Sequence, residues 1–244
     1  SLSWPMACHR LSRSTSNSGS FWSSWNAKTP KLVWCRPMPP WRAPKASLPT
    51  CAKAAAPTAT GTDSIASVLL ADGDKFDKNW NDFDIVTQAV LAVLAAKPNS
   101  KVKVLTDGTV PLTAFIPNDR AFLILASQLS GSKVTDEKAA FAAVAGLGID
   151  TVETVLLYHV VPGATIYSSA AVKANGAILK TAQGGTLAVA VYAGPEISLW
   201  DKDRNSRNAR VILSQVDINK YNKQVAHGID RVLRPIDLPP LAHS

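Results

Sequence analysis

The spacing of the apolar residues changes near Gly163, and this change constrains the fold more than any other feature of the sequence. Before it, apolar residues recur at helical spacing, as in the row Ile85, Ala89 and Val93. After it, apolar and polar residues alternate, and turn residues such as Asn175-Gly176 separate the runs. Helices grouped before strands predict an α+β fold rather than a parallel α/β fold.

The individual elements follow from the same patterns. Helices are predicted from Ile65, after Asp84, from Arg120, over residues 136–145 and over residues 151–160. Strands are predicted at residues 102–105, 112–116, 164–167, 177–181, 187–192, 197–200, 210–216 and 229–233. Asn118 or Asp119 is expected to cap the helix that follows it, and Asp150 with Glu153 resembles a capping pair.

Charge divides the chain unevenly. Residues 1–60 contain eight Lys or Arg and no Asp or Glu, whereas the remaining 18 basic and 18 acidic residues balance. All three cysteines also lie in the first 60 residues, so the rest of the chain has no thiol for a disulfide, a nucleophile or a metal ligand. A nucleic-acid-binding domain carries a basic patch on its folded surface, and the balanced charge of residues 61–244 predicts no such partner.

These breaks in composition predict the domain boundaries. Residues 1–61 are interpreted as a leader and linker that is disordered or not natural coding sequence, because Ser, Pro, Arg and Trp dominate without any periodicity. A basic-aromatic arm for nucleic acid is the alternative for this segment. Residues 62–237 form the predicted domain, and residues 238–244 form a short tail. No apolar run reaches the ~18 residues that a membrane helix needs, so no membrane span is predicted.

Three segments, in this order, resemble the fasciclin domain family. The first is LTAFIPNDRAF at residues 112–122, and the second is LLYHVVPG at residues 156–163. The third spans residues 211–235 and ends in HGIDRVLRP. The resemblance departs from the family pattern at residues 222–226, Asn-Lys-Gln-Val-Ala, where one extra residue predicts a wider hairpin turn and puts partner contacts at that turn in doubt.

The resemblance implies a wedge of two β-sheets flanked by helices, with the helices mainly in the first half. It also implies a non-catalytic adhesion or interaction module that is secreted or held at the cell surface. Its partner would be a protein or a component of the cell wall or matrix. Two other functions remain open, namely a carrier of a small apolar ligand and a hydrolase that uses His and Asp residues.

Five residues are candidate binding residues: Asn118, Asp119, Tyr158, His159 and His227. Helical spacing places His159 on a buried face and Tyr158, one residue away, in a more exposed position. The resemblance brings this pair beside the first segment, where Tyr158 and His159 would meet Asn118 or Asp119. The pair is then either a core scaffold or a contact edge for a partner, and His227 is expected to hold the last hairpin.

The sequence offers no motif for catalysis or for a cofactor. It has no HExxH helix and no G-x-S-x-G nucleophile elbow, so a cluster of His159, His227 and Asp residues is disfavoured. The segment from Asp201 to Asn205 matches the start of a calcium loop, but Ser206 and Ile212 replace its Gly and Glu. The acidic run at residues 72–84 fails the same template at Phe76. We therefore expect no metal or cofactor, and stability that does not depend on calcium.

Overall fold

The computed structural model describes residues 59–72 and 76–236 of the chain. All of these residues fall within one unit, Ala52–Ser244. Apart from residues 59–61, the predicted leader lies outside the described residues, as does the predicted tail at 238–244.

Helices lie mainly in the first half of the described chain, as predicted. They are α1 (Ile65–Asp72), α2 (Asp84–Ala96), α3 (Asp119–Ser130), α4 (Glu137–Ala145), α5 (Ile149–Tyr158) and the short α6 (Ser168–Ala171), with 3₁₀ turns at Lys101–Thr106 and Leu213–Gln215. Asn118 caps α3 because its side-chain oxygen accepts the Ala121 N–H at 3.0 Å. Gly131 ends the same helix in the left-handed conformation, with φ of 67°.

Seven strands form two sheets in the described part of the chain. They are β1 (Leu112–Pro117), β2 (Val160–Pro162), β3 (Ile178–Lys180), β4 (Thr186–Val191), β5 (Ile197–Trp200), β6 (Ala209–Arg210) and β7 (Gln224–Ile229). One sheet has the order β2-β1-β7, with β1 antiparallel to β2 and parallel to β7. The other sheet is antiparallel throughout, in the order β3-β4-β5-β6.

The three-stranded sheet is the middle layer of the fold. All six residues of β1 are buried, because successive side chains point to opposite faces and both faces are covered. Leu112, Ala114 and Ile116 pack in the cluster formed with the helices, whereas Phe115 packs in the cluster formed with the four-stranded sheet. The fold is therefore α+β, with two sheets and the helices mainly in the first half, and the predicted fold class is confirmed.

Four predicted strands differ from the structure. Residues 102–105 lie in a 3₁₀ turn that Ser100 caps, and residues 164–167 pair with no strand. The strand predicted at 210–216 is much shorter in the structure, where only Ala209–Arg210 form a strand and Val211 forms one isolated bridge. The last strand is Gln224–Ile229 rather than 229–233.

Gln224 explains why the last strand was placed too late in the sequence. A glutamine next to a predicted turn suggests an exposed position, yet this side chain is fully buried. Its amide nitrogen donates to the Val104 and Asp107 carbonyls, and its oxygen accepts the Ile65 N–H. Hydrogen bonds with two distant segments thus make a buried polar residue acceptable inside a sheet.

Asp150 and Glu153 do not form the predicted capping pair. Helix α5 begins after Gly148, without a side-chain cap, and spans 149–158 rather than 151–160. The two carboxylates instead both accept from the Lys97 ammonium group at the end of α2, with Glu153 Oε2 at 2.6 Å. A long-range ion pair therefore replaces the expected local cap.

No single helix in the described ranges has the length and hydropathy needed to cross a membrane. Helices α4 and α5 would do so only as a pair, and the chain bends by 105° between them.

Candidate functional site

All five predicted binding residues lie inside the domain. Asn118 is 3% exposed, Asp119 0%, Tyr158 0%, His159 5% and His227 2%. A partner that contacts these side chains would first have to open the domain. Their role as binding residues stays a prediction.

His159 joins the end of α5 to the C-terminal segment. Its Nδ1 lies 2.7 Å from the Val155 carbonyl oxygen, and its Nε2 accepts the Leu233 N–H at 2.9 Å. Nδ1 therefore carries the proton, because a carbonyl accepts and an N–H donates. Burial lowers the pKa of His159 to about 4, so the ring is neutral at pH 7. The predicted burial of His159 is confirmed, whereas its predicted contact with Asn118 or Asp119 is wrong.

Tyr158 is not more exposed than His159, and that prediction is wrong. Its ring packs in the cluster of the four-stranded sheet, and its hydroxyl donates to the Thr186 carbonyl at 2.9 Å. The ring is so close to Gly185 that a Cβ there would lie 2.8 Å from it. Burial raises the pKa of Tyr158 to about 12. Both faces at the end of α5 are covered, since this helix ends between the other helices and the second sheet.

His227 has the opposite tautomer to His159. Its Nε2 lies 2.8 Å from the Ile166 carbonyl oxygen, and its Nδ1 accepts the Asp217 N–H at 3.3 Å. Burial lowers the pKa of His227 as well. Each histidine therefore uses one ring nitrogen as a donor and the other as an acceptor for backbone groups. Neither ring keeps a free nitrogen for proton transfer or for a metal.

Asp119 stabilises the start of α2 from outside that helix. Its Oδ1 accepts the Ile85 N–H at 2.9 Å, which satisfies one of the free donors at the N-terminus of α2. Burial, followed by a hydrogen bond with Asp82, raises the pKa of Asp119 to about 9. Asn118 and Asp119 thus serve two different helices, and neither is bonded to the histidines.

The carboxylates of the calcium-like loop already have a cationic partner, Arg234. The guanidinium Nη1 donates to Asp203 Oδ2 at 2.6 Å, and the Arg234 N–H donates to Asp201 Oδ2 at 2.8 Å. The Asp203 side chain is fully buried in this ion pair. An arginine from a distant segment therefore neutralises Asp203, and no local signal in the sequence predicted this pairing.

One surface feature that the sequence did not reveal is a row of apolar side chains on the open face of the four-stranded sheet. Ile178 on β3 lies opposite Ala188 on β4, and Ala188 lies opposite Trp200 on β5. Ile178 is 72% exposed and Trp200 is 49% exposed. Their alternation with buried Leu187 and Leu199 fixes the face on which they lie.

A surface cleft of about 490 Å³ lies beside this row. The loop at residues 201–208 supplies its other side, with charged and polar side chains that include Lys202 and Ser206. The cleft thus combines an apolar side and a polar side, which is the usual make-up of an interface core and its rim.

The helical core contains a small cavity of about 50 Å³. Apolar residues such as Leu69, Phe122 and Leu156 line it. An apolar cavity of ~150 Å³ is the size that holds benzene. The observed cavity is too small for a lipid or a pigment, which disfavours the carrier function.

The fold defines a domain in which helices cover one face of a mixed three-stranded sheet and an antiparallel sheet covers the other. The sequence model of the fasciclin domain family matches residues 86–235 of the chain. The chain therefore belongs to the fasciclin domain family, as its three sequence segments predicted. Domains of this family are generally non-catalytic, mediate protein interactions and are commonly found in cell adhesion proteins.

Comparison with solved structures gives a similar chain, described as a FAS1 domain pair from the insect cell adhesion molecule fasciclin I. The two share 15% sequence identity with a TM-score of 0.49, and the match covers 71% of this chain and 51% of that one. The present chain thus spans about half the length of that domain pair. No curated protein sequence matches the chain.

Proposed function

We propose that this chain is a non-catalytic adhesion module, secreted or held at the cell surface, that binds a protein or a component of the cell wall or matrix. Family membership supports the class of function. The observation that carries the proposal is the exposed apolar row Ile178, Ala188 and Trp200, which we name the sheet-face row.

The sheet-face row has the chemistry of a binding surface. Residues directly opposite each other on neighbouring strands lie ~4.5–5.5 Å apart, so the three side chains form a continuous strip. Exposed apolar strips with a polar rim mark interaction sites, and tryptophan is enriched among the residues that dominate binding energy. The strands beneath the row hold Leu187 and Leu199 in the core, which keeps the strip rigid.

A non-catalytic role is favoured because the titratable residues serve the scaffold. His159 and His227, the two histidines in the described part of the chain, are bonded through both ring nitrogens to backbone groups. The hydrolase alternative needs a histidine with one nitrogen free to accept a proton from a nucleophile. The five buried candidate residues are accordingly proposed to position helices and strands.

The domain is proposed to span residues 62–237, with an ordered extension to Thr60. The N–H groups of Thr60 and Gly61 both donate to the Tyr221 carbonyl, at 3.1 and 2.9 Å, and the Lys223 N–H donates to the Gly61 carbonyl. The residues that depart from the family pattern thus hold the N-terminal segment. We propose that residues 222–226, which lead from the end of a turn into β7, act in scaffolding rather than in partner binding.

Attachment assays on the full chain test the proposed function. Beads coated with the chain are applied to a panel of immobilised extracellular proteins and cell-wall polysaccharides, and the Kd for the surface that retains them is then measured. Trp200→Ala is expected to weaken binding about 30-fold, which corresponds to the ~2 kcal/mol lost at an interface hot spot. Leu213→Ser is the matched control, since Leu213 is 54% exposed but lies outside both sheets.

Equal attachment of wild type, Trp200→Ala and the double variant with Ile178→Ser would show that the sheet-face row is not the contact. Absence of attachment to every surface in the panel would count against the adhesion role itself.

A further inference from the structure

Three helices of the domain begin close to one another, and each of them begins with an acidic residue. Asp84 opens α2, Asp119 opens α3 and Glu137 opens α4. One carboxylate oxygen of each lies within 4.8 Å of the others, and the three residues are 6%, 0% and 3% exposed. The N-terminus of a helix stabilises one nearby carboxylate. Three buried carboxylates in contact distance repel one another, so a proton or a cation has to offset part of their charge.

Two oxygens in this group accept no N–H group. Asp119 uses Oδ1 to accept the Ile85 N–H, and Glu137 uses Oε2 to accept the Lys78 N–H at 3.2 Å. The second oxygens, Asp119 Oδ2 and Glu137 Oε1, are buried and accept from no N–H group of the described residues, and the hydrogen bond between Asp119 and Asp82 joins two carboxyl groups. Among the described residues, no Lys or Arg forms an ion pair with Asp119 or Glu137. Because buried polar atoms are almost always paired, these two oxygens point to a ligand.

The group is connected to solvent through further carboxylates. Oxygens of Asp77, Asp82 and Asp84 also lie within 4.8 Å of one another. Asp77 is exposed, Asp82 is half-buried and Asp84 is buried, so oxygen ligands extend from the surface to the inner group.

We propose that Asp84, Asp119 and Glu137 bind a divalent cation, with Asp77 and Asp82 beside them on the solvent side, and that calcium fits this arrangement best. We name these five residues the acidic cluster. Calcium takes six to eight oxygen ligands at ~2.3–2.6 Å, so oxygens on opposite sides of the ion lie up to ~5 Å apart. The spacing of up to 4.8 Å within the group Asp84, Asp119 and Glu137 agrees with this size. The ligands are all carboxylates, which favours calcium over zinc, a metal bound mainly through His and Cys.

The acidic cluster differs from the sites that the sequence suggested. The expectation of calcium independence rested on the loop at Asp201 and on the linear template at residues 72–84. The cluster instead takes ligands from three helix starts, one of them in α4, and no linear template includes that combination. Of its members, Asp119 was predicted from the sequence as a cap and as a candidate binding residue, whereas Glu137 was not singled out.

Protonation is the competing explanation. A proton shared between neighbouring carboxyl groups would also offset part of the charge of the group. A site neutralised only by such a proton would show no response to calcium.

The experiment uses the full chain after treatment with a chelator. Thermal unfolding and calorimetric titration are measured with CaCl₂ and with MgCl₂ at matched ionic strength. Calcium at about 100-fold above its Kd is expected to raise Tm by about 5–10 °C. Magnesium is expected to raise Tm less. Glu137→Gln should weaken calcium binding at least about tenfold, whereas Glu196→Gln, an exposed carboxylate paired with Arg210, should not change it.

Asp77→Asn provides a second test at an exposed position, where the substitution leaves the buried core intact. It is expected to weaken calcium binding without lowering the Tm of the calcium-free protein. The proposal is overturned if chelator-treated wild type shows neither heat nor a Tm shift with millimolar calcium. It is also overturned if Glu137→Gln and Asp77→Asn both retain the wild-type response, since calcium then binds elsewhere.

Discussion

Replacement of His159 by alanine tests whether the Tyr158-His159 pair is a scaffold. The substitution leaves the Leu233 N–H without its acceptor in a position where Leu233 is 0% exposed. An unpaired buried donor costs about 1–3 kcal/mol, and the space left by the imidazole adds a cavity cost of about 2 kcal/mol. We expect a loss of about 3–5 kcal/mol in the free energy of unfolding.

Urea unfolding measures this loss. With an m-value of about 2 kcal/mol/M, the expected loss lowers the midpoint by about 1.5–2.5 M. His159→Gln is the matched control, because its side-chain oxygen can still accept the Leu233 N–H, and it should recover about half of the loss. An unchanged midpoint for His159→Ala would refute the scaffold role and favour a contact edge.

Wild type and His159→Gln also differ in how their stability depends on pH. The pKa of His159 is about 4 in the folded protein, below the unfolded value of 6.5. Its contribution to the free energy of unfolding is therefore fully present above pH 6.5 and is lost as the pH falls towards 4. The shift corresponds to about 3 kcal/mol. Asp119 has a raised pKa and therefore changes the stability in the opposite direction with pH. The effect of His159 is isolated by comparing the free energy of unfolding of wild type and of His159→Gln at each pH. Parallel pH profiles of the two proteins would contradict the assignment.

Two further predictions concern the scaffold. Arg234→Ala should lower the free energy of unfolding by about 3–5 kcal/mol because it leaves the Asp203 carboxylate buried and unpaired, whereas Arg210→Ala, at a pair with side chains 46% and 38% exposed, should cost at most about 1 kcal/mol. Similar losses for the two variants would show that the buried ion pair stabilises the domain no more than the exposed one. A chain that begins at Ala59 should melt within about 2–4 °C of the full chain, and one that begins at Thr62 should melt lower because the backbone bonds at Gly61 are lost. Equal melting of the two shortened chains would place the domain start at Thr62.

The sequence alone determined the elements whose signals are local. Helical spacing around Ile85 and Val93 located α2, and the alternation around Leu187 located β4. The cap of α3 was narrowed to Asn118 or Asp119, because a capping side chain bonds within three residues of its own position. The order of these elements gave the α+β class, and three segments in order gave the family. All of these inferences depend on neighbours within about one helical turn or one strand.

Only the tertiary structure determined the partners of the polar residues and the exposed face of the second sheet. Tyr158 is buried because the second sheet covers the end of α5, and His159 bonds to Leu233, a residue 74 positions away. From the sequence, Gln224 is predicted to lie in a turn. In the structure it lies inside β7, where its side chain forms hydrogen bonds with distant segments. The acidic cluster likewise exists only because three helix starts meet. Burial and pairing depend on contacts between distant segments, and the sequence near a residue does not specify which segments will cover it.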